Sequence, residues 1–454
     1  MKNLLITILA LIIATSLWSS CKKFVEVGQP KNQLTTEEVF ADSTDASAAI
    51  LGTYITMSST YLGLCSGAST LYPALSADEL YQTSNNTTNS QFYADNVQTD
   101  NGTINGFWGA GYKYIYAMNA CIAGVNTSSG ITVAAKRQIT AEAKFVRAFV
   151  YFNLYNLFGS VPLVTTTDYQ VNSVAPRASV TQLFTQIISD LQAAEAGLGT
   201  NTGTNDRPCA LTAAALLAKV YLYNGQYAQA TVEATKVISS GNYSLQQNLN
   251  SVFLAASNEI IWQLDLAGVN YTWEGQSFVP GSSGALPQYV ITPGLYASFE
   301  SGDQRVADWI GVNTVNGNNY PFPYKYKNNA SATDPTQNYV ILRLADQYLI
   351  RAEAEANQGN LADASSDLNM IRNRAGLLNS TATGQASILT AICNERRHEL
   401  FCEWGNRWFD LRRLNLATSV LSPLKSGWKA TDELYPIPVL QISADPYLTQ
   451  NLGY

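Results

Sequence analysis

Histidine is almost missing from this chain: His398 is the single one in 454 residues. Polyhistidine metal sites are thereby excluded, and serine–histidine or cysteine–histidine catalysis has one position left to use. Charge is scarce as well, at 13% of residues against 46% hydrophobic. A chain so apolar buries a sizeable core, which rules out a disordered or collagen-like polymer. With 27 basic and 34 acidic residues the net charge is −7. No basic field gathers phosphates, so nucleic acid is not an expected partner. Cysteine is sparse. Beyond Cys21 there are Cys65, Cys121, Cys209, Cys393 and Cys402, odd in number and widely spaced. A disulfide framework is not indicated, and small buried hydrophobes are expected instead. What the chain has in plenty is Tyr and Trp, 26 and 8 against 15 Phe. These are the aromatics that sit at a surface with one wet edge, so a binding surface is expected before a catalytic centre.

Long apolar runs are limited to the start. Met1-Lys2-Asn3 is short and basic, and Leu4 to Trp18 is almost wholly apolar. Fifteen helical residues rise about 22 Å, short of the ~30 Å hydrocarbon layer. The segment reads as a signal peptide over residues 1–20. Leu17-Trp18-Ser19-Ser20-Cys21 resembles a bacterial lipobox, although Trp18 is larger than the usual residue there. Cys21 is therefore the expected lipidation site, with acyl chains such as palmitate as the membrane anchor. Residues 21–36 read as the lipidated cysteine and a polar tether.

One domain is expected over residues 37–454, with an N-terminal part at 37–240 and a C-terminal part at 258–454. Apolar spacing of three and four predicts helices over 37–58, from 107 through 119, and over 134–158, 179–198, 210–224 and 227–240. Later helices are predicted over 343–358, 361–375, 385–403 and 405–417. Residues 59–105 lose periodicity, and Ile260-Ile261-Trp262-Gln263-Leu264 reads as a strand. Ala218, Gly225 and Ala230 share their spacing with Ala352, Gly359 and Ala364. Small residues so placed mark a tetratricopeptide-like pair, whose two helices approach closely and turn. The fold class is thus mostly α, a helical frame of such pairs carrying long irregular loops and a few short strands.

The densest polar stretch runs from Asn394-Glu395-Arg396-Arg397-His398-Glu399 to Arg407-Trp408-Phe409-Asp410-Leu411-Arg412-Arg413. A zincin would need a second His four positions after His398, where Cys402 stands. The expected role is an ion-pair network joining two helices. Asp78, Glu79, Glu274 and Asp303 are loop carboxylates for a hydrolase reading, with no sequence sign that any two are suitably spaced. Gly281-Ser282-Ser283-Gly284 lacks the following Lys of a phosphate-binding loop.

Two loops carry the aromatic signal. In 76–96, Tyr81 and Tyr93 interleave with Asn85 and Asn86; in 266–292 stand Tyr271, Trp273 and Tyr289. A sugar ring has an apolar C–H face that an aromatic covers, while amides answer its hydroxyls. These seven residues are the candidate ligand contacts.

The scaffold motifs make the chain similar to a known family. They are Trp108-x3-Tyr112-x2-Ile115-x3-Asn119, Ala141 to Ala148, Leu157-Phe158-Gly159-Ser160-Val161-Pro162-Leu163, Leu342 to Leu349, Asn394 to Arg397, Arg407 to Arg413 and Tyr435-Pro436-Ile437-Pro438. In that order and spacing they resemble the SusD/RagB family of nutrient-binding outer-membrane lipoproteins. The resemblance implies four tetratricopeptide-like helix pairs in a right-handed scaffold, no catalysis, and a glycan as ligand. It implies a partner too, a SusC-like TonB-dependent transporter in the outer membrane, over which the lipoprotein acts as a lid on the cell exterior. Lys22-Lys23 stand where such lipoproteins often carry acidic export residues. No cofactor is implied; a structural calcium, a peptide ligand and a pure interaction scaffold stay open as alternatives.

Overall fold

The computed structural model describes Lys2 and residues 35–60, 63–200, 205–333 and 336–454. The expected signal peptide, Cys21 and nearly all of the tether lie outside the described residues. The helix expected over 37–58 is broken: a turn at Thr36–Val39 precedes α1, Ser43–Ser59. Asp42 causes the restart, its carboxylate accepting the Thr44 and Asp45 N–H groups at 2.7 and 3.0 Å. Residues 59–105 hold more structure than expected. They form α2 (Ala68–Ser76), β1 (Leu80–Gln82) and α3 (Thr87–Tyr93). Every residue of α2 is buried, so no wet face marks the helix, and Pro73 stands inside it.

The frame follows. It begins with α4 (Gly102–Thr127), α5 (Val133–Phe158), α6 (Val180–Gly197), α7 (Ala210–Tyr223) and α8 (Tyr227–Ser239). After β2 (Ile260–Leu264), α9 (Trp273–Phe278), β3 (Tyr289–Ile291), β4 (Ile310–Val315), β5 (Asn318–Pro323) and β6 (Tyr339–Arg343) it resumes. The second run is α10 (Leu344–Gln358), α11 (Leu361–Arg374), α12 (Gln385–Glu399) and α13 (Asn406–Arg413). Caps fall where side chains can supply them. Ser179 and Gln182 cap α6 reciprocally, and Gly159, at φ +73°, ends α5.

Each frame helix packs on the next: α4 on α5, α5 on α6, α6 on α7, α7 on α8, α8 on α10 and α10 on α11. The two small-residue copies do the same work in α7–α8 and α10–α11. Ala218, Ala230, Ala352 and Ala364 are fully buried, while Gly225 and Gly359 turn the chain at φ +70° and +85°. Far apart in sequence, the copies are neighbours in space through α8 and α10. The main apolar core runs from Phe40 to Leu448, and two smaller clusters lie among α10, α11 and α12. At its centre Trp262 of β2 meets Phe145 and Phe149 edge-on, at centroid distances of 4.9 and 5.1 Å.

The helix expected over 385–403 stops at Glu399, and that over 405–417 stops at Arg413. Cys402, Trp404 and Gly405 have φ of +49°, +49° and +69°, which no right-handed helix admits. Tertiary bonds hold this turn. Cys402 N–H donates to Glu79, Trp404 N–H to Thr70 Oγ1, and the Trp404 indole to Val340 O.

The ion-pair network exists but joins far more than two helices. Glu399 meets Arg305, Arg343 and Arg374; Arg343 adds Glu259 and Glu403. Arg396 joins Asp346 to Asp410, and Arg413 bonds Asp410 and Glu353. Burial would raise the Glu399 carboxyl, yet Arg374, Arg343 and Arg305 hold it far below the usual carboxylate range. The five cysteines after Cys21 are free thiols, four of them buried and Cys393 half-buried.

Candidate ligand-binding face

A short antiparallel pairing brings the two aromatic loops together. Leu80, Tyr81 and Gln82 of β1 lie opposite Ile291, Val290 and Tyr289 of β3. The ladder extends past the strands: Thr83 N–H donates to Gln288 O at 3.0 Å, and its hydroxyl to Pro287 O at 2.6 Å. Two segments that sequence treats separately are thus one surface. β5 packs alongside β3 and adds Tyr320. Burial, with the Tyr320 and Tyr93 hydroxyls close by, raises the Tyr81 phenol above its ordinary value. Tyr93 and Tyr320 thus lie within electrostatic reach of Tyr81.

Each of the seven expected residues has a definite place. Tyr81 is half-buried on β1, and Tyr93 at the end of α3 is 41% exposed. Asn85 and Asn86 are exposed. Asn86 also caps α3, its side chain accepting the Asn89 N–H at 3.0 Å. Tyr289, by contrast, is buried, where its hydroxyl accepts from Asn89 Nδ2 at 2.7 Å and its ring meets Phe278. Trp273 is half-buried, its indole donating to Ser58 O at 3.3 Å and its backbone N–H to the Tyr339 hydroxyl at 2.9 Å. Tyr271, half-buried, stands edge-on to it at 5.6 Å. Of these last three only Tyr289 is buried, while Tyr271 and Trp273 stay partly open like Tyr81.

Tyr93 also borders an open cleft of about 480 Å³, with Asp95, Lys425 and Lys429 on its walls. Lys425 lies 5.7 Å from the Tyr93 ring and is itself held by Asp95 at 2.8 Å and Leu75 O at 2.9 Å. Burial lifts the Asp95 carboxyl to about 7, with Lys425 opposing.

The four hydrolase candidates are all buried. Asp78 pairs with Arg397 and Arg407 at 2.7 and 2.8 Å, and Asp303 with Arg305 at 2.8 Å. Burial, then the neighbouring Asp78 charge, push Glu79 up to about 8; burial pushes Glu274 up to about 7. Glu79 instead braces the Cys402 turn, and Glu274 accepts from Thr70 at 3.0 Å. They build the base under the loops.

Tyr320 is the contributor that helix-centred reading passes over, although its signal was present. Asn316-Gly317, both at positive φ, form the turn of the β4–β5 hairpin, and Tyr320, Phe322 and Tyr324 alternate. The Phe322 ring lies across its cross-strand partner Gly311, where a Cβ would come within 2.3 Å. Asn313 on the same hairpin donates to Ser282 O and Ala285 O at 3.2 and 2.7 Å, tying down the loop before β3.

Residues 267–454 match the family model described as "SusD family", and residues 24–222 one described as "Starch-binding associating with outer membrane". SusD-like protein P2 of Formosa agariphila is 28% identical over 93% of each chain. The starch-binding protein SusD of Bacteroides thetaiotaomicron is 26% identical, across 73% of this chain and 75% of its own. Among solved structures, a SusD superfamily protein from Bacteroides vulgatus superposes with a TM-score of 0.83. It covers 91% of this chain and 99% of its own at 20% identity, a likeness of fold. A laminarin-binding SusD-like protein has a TM-score of 0.75 at 25% identity, covering 90% and 99%.

Proposed function

The chain belongs to the SusD/RagB family, and from that premise we propose that it is a non-enzymatic glycan-capture lipoprotein of the outer membrane. It is anchored through Cys21, faces the cell exterior, and hands its ligand to a SusC-like TonB-dependent transporter over which it closes as a lid. The observation carrying the ligand class is the β1–β3 pairing: it joins the loop of Tyr81, Asn85, Asn86 and Tyr93 to the loop of β3, beside which β5 sets Tyr320. The joined loops offer rings to cover a sugar face and amides to meet its hydroxyls. The starch-binding and laminarin-binding relatives support the same class. Tyr289, Asn89 and Trp273 hold this face in shape without contacting the ligand.

Covering one ring face contributes roughly 1–3 kcal/mol at about 25 cal/mol per Å², before ordering costs. Affinity in the micromolar to millimolar range follows, and confinement at a membrane raises the effective concentration. Native gels containing plant, host and microbial polysaccharides test this reading. One glycan is expected to retard the protein, and Tyr81→Ala with Tyr93→Ala to release it. Binding of peptides with no retardation by any glycan would overturn the ligand class.

A further inference from the structure

A second cleft, which shares no lining residue with the two aromatic loops, lies between α4, the segment 162–173 and residues 441–448. Its volume is about 380 Å³, inside the range of ordinary ligand pockets. Trp108, Tyr112, Tyr116 and Tyr169 are its aromatic walls. Tyr116 is 55% exposed and Tyr169 81%. That is unusual in a chain that hides most of its rings, and two such rings on one cleft are a presented surface rather than a packing remnant.

The floor is built and held. Trp108 and Tyr112 lie 5.1 Å apart, and the Tyr112 hydroxyl donates to Pro162 O at 2.7 Å. Asn119 Nδ2 bonds Val164 O at 3.1 Å and Thr166 O at 3.3 Å, while Tyr151 Oη donates to Val164 O at 2.8 Å. Asn172 Nδ2 then closes the short Tyr169–Asn172 helix onto Thr166 O at 2.8 Å. A cleft shaped this way needs little reorganisation to accept a ligand.

The polar fringe defines the occupant. Thr167, Asn172, Ser173 and Gln441 are neutral donors and acceptors, and Asp445 is the one charged lining residue. Without a cation on its wall, the cleft gives an anion nothing to pair with. Rings flanked by hydroxyls and amides match a neutral polyhydroxylated chain. We infer that the Tyr116–Tyr169 cleft is a second neutral-glycan site, separate from the loop face, which lets one molecule hold a long polysaccharide at two points. The inference rests on the glycan reading proposed above. Two linked contacts raise avidity without strengthening either one.

The test uses the detergent-purified full chain, with polysaccharide affinity gels and calorimetric titration of laminarihexaose and maltohexaose. The variants are Tyr116→Ala/Tyr169→Ala and Tyr81→Ala/Tyr93→Ala. The cleft variant is expected to lose at least fivefold in retention by the long polymer, with the hexaose affinity of the loop face unchanged. Both rings project into solvent, so an unchanged melting curve accompanies that loss. Polymer retention equal to wild type would overturn the inference and leave the loop reading intact. Glycan binding lost only in the cleft variant would keep the inference and overturn the loop assignment. Binding of neither hexaose nor polymer would overturn both. Sedimentation showing the cleft variant as a monomer where wild type is a dimer, with glycan binding unaltered, would make the cleft a self-association surface and overturn the inference.

Discussion

Asn89 donates its side-chain amide to the Tyr289 hydroxyl at 2.7 Å, across 200 positions of sequence. The bond is buried and ties α3 to β3, so with the β1–β3 pairing it fixes the distance between the two loops that carry the candidate site. Tyr289→Phe keeps the ring against Phe278 and leaves the Asn89 amide unsatisfied. A loss of about 1–3 kcal/mol in urea unfolding is expected. Ligand affinity should fall as well, as the two loops shift against each other.

Tyr81 and Tyr93 should behave in the opposite way. Each is partly open to solvent, and alanine at either removes stacking area without opening a cavity. Glycan affinity is expected to drop about tenfold per residue, equivalent to about 1.4 kcal/mol, with the melting temperature nearly unchanged. Titration beside thermal melts checks both halves.

Trp273→Ala separates support from contact. Trp273 Cβ and backbone sit against Gly67, a contact that alanine keeps, while the indole beyond them stands edge-on to Tyr271 and donates to Ser58 O. Its removal is expected to destabilise the fold by about 1–3 kcal/mol in urea titration. A stable variant with lost binding would return Trp273 to the ligand surface.

Glu399→Gln strikes the buried network. Glu399 faces Arg305, Arg343 and Arg374, and neutralising it leaves three buried guanidiniums short of one anion. A cost of about 3–5 kcal/mol is expected from denaturant unfolding.

Two buried groups give the stability profile opposite slopes. Burial, then Arg305 and Arg397, lower His398 from 6.5 to about 3, so the folded ring stays neutral while an unfolded one gains a proton. Its contribution is complete above pH 6.5 and is lost as pH falls toward 3. Glu79, raised from 4.5 to about 8, keeps its proton while the unfolded carboxyl ionises. Stability from this group is complete below pH 4.5 and declines as pH rises toward 8. In melting curves recorded against pH, Glu79→Gln should flatten the decline between 4.5 and 8, and His398→Asn the loss below 6.5.

The frame was legible because its signals are local. The three-and-four spacing of α5, the caps of α6, and the Ala–Gly–Ala spacing in α7–α8 and α10–α11 each act within a few turns of chain. The wholly buried α2 was not legible, since it is short and carries Pro73 in its interior, a residue that ordinarily ends a helix. Nor was the turn at Cys402 and Trp404, which distant partners Glu79, Thr70 and Val340 impose.

Sequence alone determined that the chain carries tyrosines and amides suited to a sugar surface, and that two loops concentrate them. Tertiary structure alone decided which of those rings meet water. Tyr81 and Tyr289 are chemically alike and stand one position apart across the β1–β3 pairing, yet one stays partly open and the other is buried against Phe278 and Asn89. Exposure depends on what distant segments pack over a side chain, and a residue's own neighbours in sequence carry no record of that.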